Sequence, residues 1–110
     1  MSVLEQGDII EVDFNPSMGH EPAKSCPAIV VTDYSFNSRS SLVGVVPIQS
    51  TDNGYPLHVP VDEMGLHGFA CVEMARNIDA ESRGYRHIGY ADDKTMRTIM
   101  SYIRGMYGLR

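Results

Sequence analysis

The stretch that decides the fold is Gly7 to Val31, GDIIEVDFNPSMGHEPAKSCPAIVV. Ile10, Val12 and Phe14 alternate with Glu11 and Asp13, the period-two pattern of a strand with one buried face. From Asn15 to Ser25, Pro16, Gly19 and Pro22 rule out a helix and impose a turn-rich path. Inside this loop lies the one local run of candidate chemistry, His20-Glu21 followed by Lys24. Pro27 then opens Ala28-Ile29-Val30-Val31, an unbroken apolar run suited to the interior of a sheet or barrel. Two strands framing a polar loop form a rigid stage for functional groups.

The 110 residues suffice for one domain, 1–110, with a modest core. No apolar run reaches the length of a bilayer span, and MSVLEQGD lacks a signal-peptide pattern, so a cytoplasmic location is expected. Cys26 and Cys71 are far apart and show no CxxC spacing; they read as two small thiols in a reducing compartment. A disulfide between them stays open, because sequence carries no geometry. The net charge of −5 argues against unspecific nucleic-acid binding, which phosphate neutralisation drives. A local basic cleft remains compatible, since Arg76, Arg83, Arg86, Lys94, Arg97, Arg104 and Arg110 all lie in the C-terminal third.

Outward from the opening stretch, DYSFNSRSS at 33–41 reads as a loop and Leu42 to Ile48 as a buried strand. Asp52-Asn53-Gly54 is a hairpin-turn signal. Leu57, Val59 and Val61 alternate with His58 and Pro60, and the prolines at 56 and 60 confine this strand to an edge. Asp62 to Gly68 reads as a turn and Gly68 to Met74 as a strand, with Phe69, Cys71 and Glu73 sharing a face. Asn77 to Asp79 and Tyr85 to Tyr90 supply further short strands. The period changes after Asp92 or Asp93, either of which can cap a helix. Met96, Ile99, Met100, Ile103 and Met106 then recur at helical spacing, with Gly108 past the end. Many short strands and one terminal helix imply a mainly β, small closed structure.

His20 suits proton transfer because its ordinary pKa lies near neutrality, although single loop histidines are common. Glu73 is a carboxylate amid apolar residues, costly there unless partnered. No metal or cofactor is expected: His20, His58, His67 and His87 show no paired ligand spacing, and two isolated cysteines do not make a zinc site.

In order and spacing, several short motifs resemble the MazF/PemK (Kid) toxins, the RNA-cleaving halves of bacterial toxin–antitoxin pairs. They are Gly7-Asp8-Ile9, Asp13-Phe14-Asn15-Pro16, Gly19-His20-Glu21, Pro27-Ala28, Phe36-Asn37, Val46-Pro47-Ile48, Gly54-Tyr55-Pro56, Asn77-Ile78-Asp79 and Arg83-Gly84. The resemblance covers nearly the whole chain. It implies an SH3-like β-barrel with a C-terminal helix, packed as a homodimer. It also implies a metal-independent endoribonuclease that cuts single-stranded mRNA through the substrate's own 2′-hydroxyl, leaving a 2′,3′-cyclic phosphate and a 5′-hydroxyl, and that a cognate MazE-like antitoxin inhibits. On the same resemblance His20, Glu73, Ser50 and Lys24 are the catalytic candidates, and Asn15, Glu21, Cys26, Gln49, Arg76 and Arg83 the RNA-binding ones. Two departures stand out: Cys26 occupies the place of the family's catalytic arginine, and Cys71 that of an arginine in the Kid branch. A thiol cannot stabilise a phosphorane as a guanidinium does, so Lys24, Arg76 or Arg83 would have to substitute. The alternative is an inactive barrel of the same fold that binds proteins, in the manner of the CcdB gyrase poisons.

Overall fold

The computed structural model describes residues 3–14, 25–52 and 54–109. Its strands are β1 (Asp8–Val12), β2 (Cys26–Val30), β3 (Val43–Gln49), β4 (His58–Glu63), β5 (Leu66–Cys71), β6 (Arg76–Ile78) and β7 (Tyr85–Tyr90). Its helices are α1 (Tyr34–Arg39), α2 (Ala80–Arg83) and α3 (Asp93–Met106), with one 3₁₀ turn at Val72–Met74. The strands run antiparallel in the order β4-β5-β3-β2-β1-β7, and β6 pairs with the far end of β3. Val43 to Val45 therefore pair with β6 while Ile48 and Gln49 pair with β5, so the long β3 joins two parts of a curled half-barrel.

Both faces of the central strands are covered. Ile9, Ile29, Val46, Ile48, Val59, Val61, Ala70 and Val72 form a core with Ile99 of α3. On the opposite face Ile10, Val12, Phe14, Ala28, Val30, Val45 and Ile78 form a second. That double burial is why Ala28 to Val31 reads as an unbroken apolar run rather than an alternation. The helix stripe is as the spacing predicts up to Ile103: Asp92 caps α3 by accepting from the Thr95 N–H, Ile99 is fully buried and Met96, Met100 and Ile103 pack on the same core, whereas Met106 in the last turn is exposed. Gly108, at φ 71°, lies just past its end.

Four expectations need correction. Residues 33–41 contain helix α1, because Asp33 caps it by accepting from Ser35 N–H. Asn37 in that helix donates to the carbonyls of Leu4 and Thr32, tying it to the N-terminal segment. Asp52 to Gly54 closes no hairpin between β3 and β4, since β4 pairs with β5, and β3 with β2, β5 and β6. The β4–β5 turn is Met64-Gly65 alone, both at positive φ (51° and 84°), so residues 62–63 and 66–68 belong to strands. Finally, β5 stops at Cys71 and Glu73 lies in the 3₁₀ turn, placing it off the sheet's pleat. The edge position inferred for β4 from its prolines is observed.

Candidate active site

The β4–β5 register sets His58 directly across from Cys71. Facing residues of an antiparallel pair share one side of the sheet, so both side chains project to the same face. Two residues on, the 3₁₀ turn brings Glu73 back over them. His58 Nε2 lies 2.7 Å from Glu73 Oε2, and its Nδ1 lies 3.1 Å from Asp52 Oδ1. The imidazole is 3% exposed and the Glu73 side chain 25%, so Glu73 is the more exposed residue of this pair. Burial disfavours the imidazolium, but the hydrogen bonds and charges of Glu73 and Asp52 outweigh it and raise the His58 pKa above 6.5. The Glu73 carboxylate therefore has the partner that its position demands. Its second oxygen, Oε1, is buried and accepts no hydrogen bond among the described residues.

Cys71 is fully buried, with its Sγ 3.5 Å from the Phe69 carbonyl oxygen. Burial and then the Glu73 charge push its thiol up to about 11. Cys26, half-buried on β2, is also pushed up to about 11, by burial first, then by Cys71 and Glu11. Both cysteines are free thiols. At neutral pH each is an uncharged group where a cation would serve phosphate chemistry.

Glu73 has a histidine partner that sequence reading did not pair with it. The sequence places His58 on an edge strand and gives it no paired ligand spacing; its meeting with Cys71 and Glu73 comes from the β4–β5 register. Gln49 closes β3 and is half-buried, and Ser50 follows it, exposed. The guanidinium of Arg76 lies 5.8 Å from the centre of the Phe14 ring. Arg83 donates to the Asp13 carbonyl oxygen at 3.0 Å. These two arginines therefore sit where β1 leads into the polar loop. Asn15, His20, Glu21 and Lys24 lie outside the described residues. A groove of about 590 Å³ lies elsewhere, between the N-terminal segment, α1 and α2, and is lined by Leu4, Ser38, Leu42, Glu81 and Tyr85 among others. Among the described residues it holds no hydrogen-bonded acid–base pair, so the chemistry points to the His58 cluster.

Comparison with known proteins shows which family the chain resembles over its length. The endoribonuclease toxin ChpB of Escherichia coli is 32% identical over 105 residues, 90% of each chain. The crystal structure of MazF from Deinococcus radiodurans superposes with a TM-score of 0.91 at 24% identity, covering 99% of this chain and all of that one. A MazE–MazF crystal structure from the same organism gives 0.85 at 20% identity, with both chains fully covered. Residues 5–107 match the family described as PemK-like, MazF-like toxins of type II toxin–antitoxin systems. The chain belongs to that toxin family.

Proposed function

We propose that this chain is an endoribonuclease toxin that cuts single-stranded RNA without a metal, acting in the cytoplasm under the control of a MazE-like antitoxin. The observation that carries the reading is the Glu73–His58–Asp52 chain of hydrogen bonds beside Cys71. Glu73, the more exposed partner, takes the proton of the 2′-hydroxyl as that oxygen attacks the phosphorus. His58 donates to Glu73 and positions it; Asp52 in turn fixes the imidazole. The P–O5′ bond breaks, leaving a 2′,3′-cyclic phosphate, and the 5′-oxygen collects a proton. His20 is the group assigned to that second transfer, and Lys24 the cation facing the phosphate. Gln49 and Ser50, at the end of β3, line the same face for the nucleotides flanking the cut, with Arg76 and Arg83 nearer the polar loop. Single-stranded RNA suits such a face because its bases can be splayed and read. The relatives' endoribonuclease names and the MazE–MazF complex support both the activity and the partner. A homodimer in solution is part of this reading.

The test is cleavage of a long mixed-sequence RNA in EDTA, with mapping of the ends. Cuts bearing 5′-hydroxyls are expected. Glu73→Gln should lower the rate by about 10²–10⁴-fold, the usual worth of a general base. His58→Ala should lower it less, with partial rescue in His58→Gln, which keeps one donor toward Glu73. Random cuts, or cuts unaffected by Glu73→Gln, would sink the assignment.

A second reading has one observation behind it. The neutral thiol at Cys26 supplies no charge where the family's arginine stands, which favours an impaired barrel that acts by binding protein. If the native chain is inert and Cys26→Arg cuts, the fold is a nuclease with its cation missing; if neither cuts although both fold, the protein-binding reading takes its place.

A further inference from the structure

His58, Cys71 and Glu73 each offer one ligand atom (a ring nitrogen, the Sγ and a carboxylate oxygen), and these three atoms all lie within 4.8 Å of one another. The three come from the β4–β5 register and the turn that follows it. We infer that they form a binding site for a borderline-soft divalent ion, zinc above all. One nitrogen, one sulfur and one oxygen make a donor set characteristic of zinc, which with three protein ligands keeps a fourth position for water.

Three features of the structure fit the ion. Zinc bonds of about 2.0–2.3 Å hold tetrahedral ligand atoms roughly 3.4–3.6 Å apart. The His58–Glu73 hydrogen bond has to open from 2.7 Å and the widest separation to contract from at most 4.8 Å, both within side-chain rotation. Asp52 holds the Nδ1 side of His58 at 3.1 Å, which leaves Nε2 as the ligating nitrogen and supplies the carboxylate that commonly backs a metal-bound histidine. The buried Glu73 Oε1, with no hydrogen-bond partner among the described residues, has a lone pair to offer. Exposed clusters often bind ions without consequence, but here the Cys71 side is closed to solvent.

The consequence rests on the nuclease reading above. An ion on Glu73 and His58 occupies the carboxylate that takes the 2′-hydroxyl proton and breaks the hydrogen bond that positions it, so the metal switches cleavage off rather than on. Displaced protons leave with solvent; no oxidation is involved.

Titration of the full-length protein with cobalt(II), followed by zinc displacement, tests binding without any assay of activity. A thiolate-to-cobalt charge-transfer band that saturates at one ion per chain is expected in the native protein and in Cys26→Ser, and is expected to vanish in Cys71→Ser. A native protein that shows no such band, or a band kept in Cys71→Ser, overturns the site. RNA cleavage then tests the switch, each protein being compared with its own rate in EDTA: stoichiometric zinc should slow the native protein at least tenfold and should not slow Cys71→Ser. Cobalt binding with zinc-indifferent cleavage would overturn the regulation alone. A protein that binds cobalt but never cuts RNA would overturn the nuclease reading and leave the site standing.

Discussion

At the scale of single residues, the half-buried thiol of Cys26 makes a direct chemical statement. Cys26 is pushed up to about 11 by burial, Cys71 and Glu11. The folded protein thus keeps a proton that the unfolded chain releases near pH 9.0. Between those two values the folded state binds more protons, so stability falls as pH rises through that window and is untouched well below it. The denaturation midpoint should therefore drop on going from neutral pH into the window, and Cys26→Ser should flatten part of the drop. At about pH 8, alkylation of folded Cys26 by iodoacetamide should run about a hundredfold slower than in the denatured chain, because only the thiolate reacts. Mass spectrometry of the Cys26 peptide reads this directly. Fast alkylation of the folded protein would mean that the thiol is not desolvated as described.

At the scale of elements, α3 and the β4–β5 turn carry the clearest energetic statements. Ile99 is the one residue of α3 that is fully buried, and it joins the core of β1, β3, β4 and β5. Ile99→Ala should cost about 2–5 kcal/mol, the range for a buried aliphatic truncated to alanine, as measured by urea denaturation. A loss below 1 kcal/mol, which would be about the effect of a surface change, would mean that α3 is not docked on the sheet. Met64 sits at φ 51° in a two-residue turn and is largely exposed, a poor fit for a left-handed position. Asparagine tolerates that conformation, and Asn-Gly is the favoured pair for such turns. Met64→Asn should raise stability by up to about 1 kcal/mol, visible as a higher melting temperature. A fall would show that the methionine side chain, beside Gly89, contributes more through packing than it costs in backbone strain.

At the scale of the whole molecule, charge limits how RNA can be held. A chain of net charge −5 has no broad field to draw in phosphates, and Arg86 is already paired with Glu11 at 2.7 Å. Binding of single-stranded RNA should accordingly depend only shallowly on salt, with a log–log slope corresponding to about two or three phosphate contacts. Fluorescence anisotropy with a labelled oligonucleotide and the Glu73→Gln protein, across a salt series, gives the slope. A steep slope would indicate that further basic side chains, such as the exposed Lys94, Arg97 and Arg104 of α3, also meet phosphates. The two cores, one on each face of β1, β2 and β3, hold the central strands rigid and leave the chemistry to the margins, at β4, the 3₁₀ turn and the polar loop.

Sequence alone determined the elements whose signal is local. The apolar run at 28–31, the edge strand marked by Pro60 and the stripe from Met96 to Ile103 are each read from periodicity or from a missing backbone donor, and the structure has all three. Short motifs in a fixed order were enough to resemble the toxin family. What tertiary structure decided were pairings between distant residues. Glu73 looked like the acidic member of a site centred on His20, yet its observed partner is His58, fifteen residues earlier in the chain. No spacing rule links positions 58, 71 and 73, because their meeting depends on which strand lies beside β5 and on where β5 gives way to a 3₁₀ turn. That turn and the capped α1 were also missed, since Asp33 and the Cys71–Glu73 bend act through hydrogen bonds that a strand or loop pattern does not display. Where His58, Cys71 and Glu73 meet is set by cross-strand register, and register is set by the whole sheet.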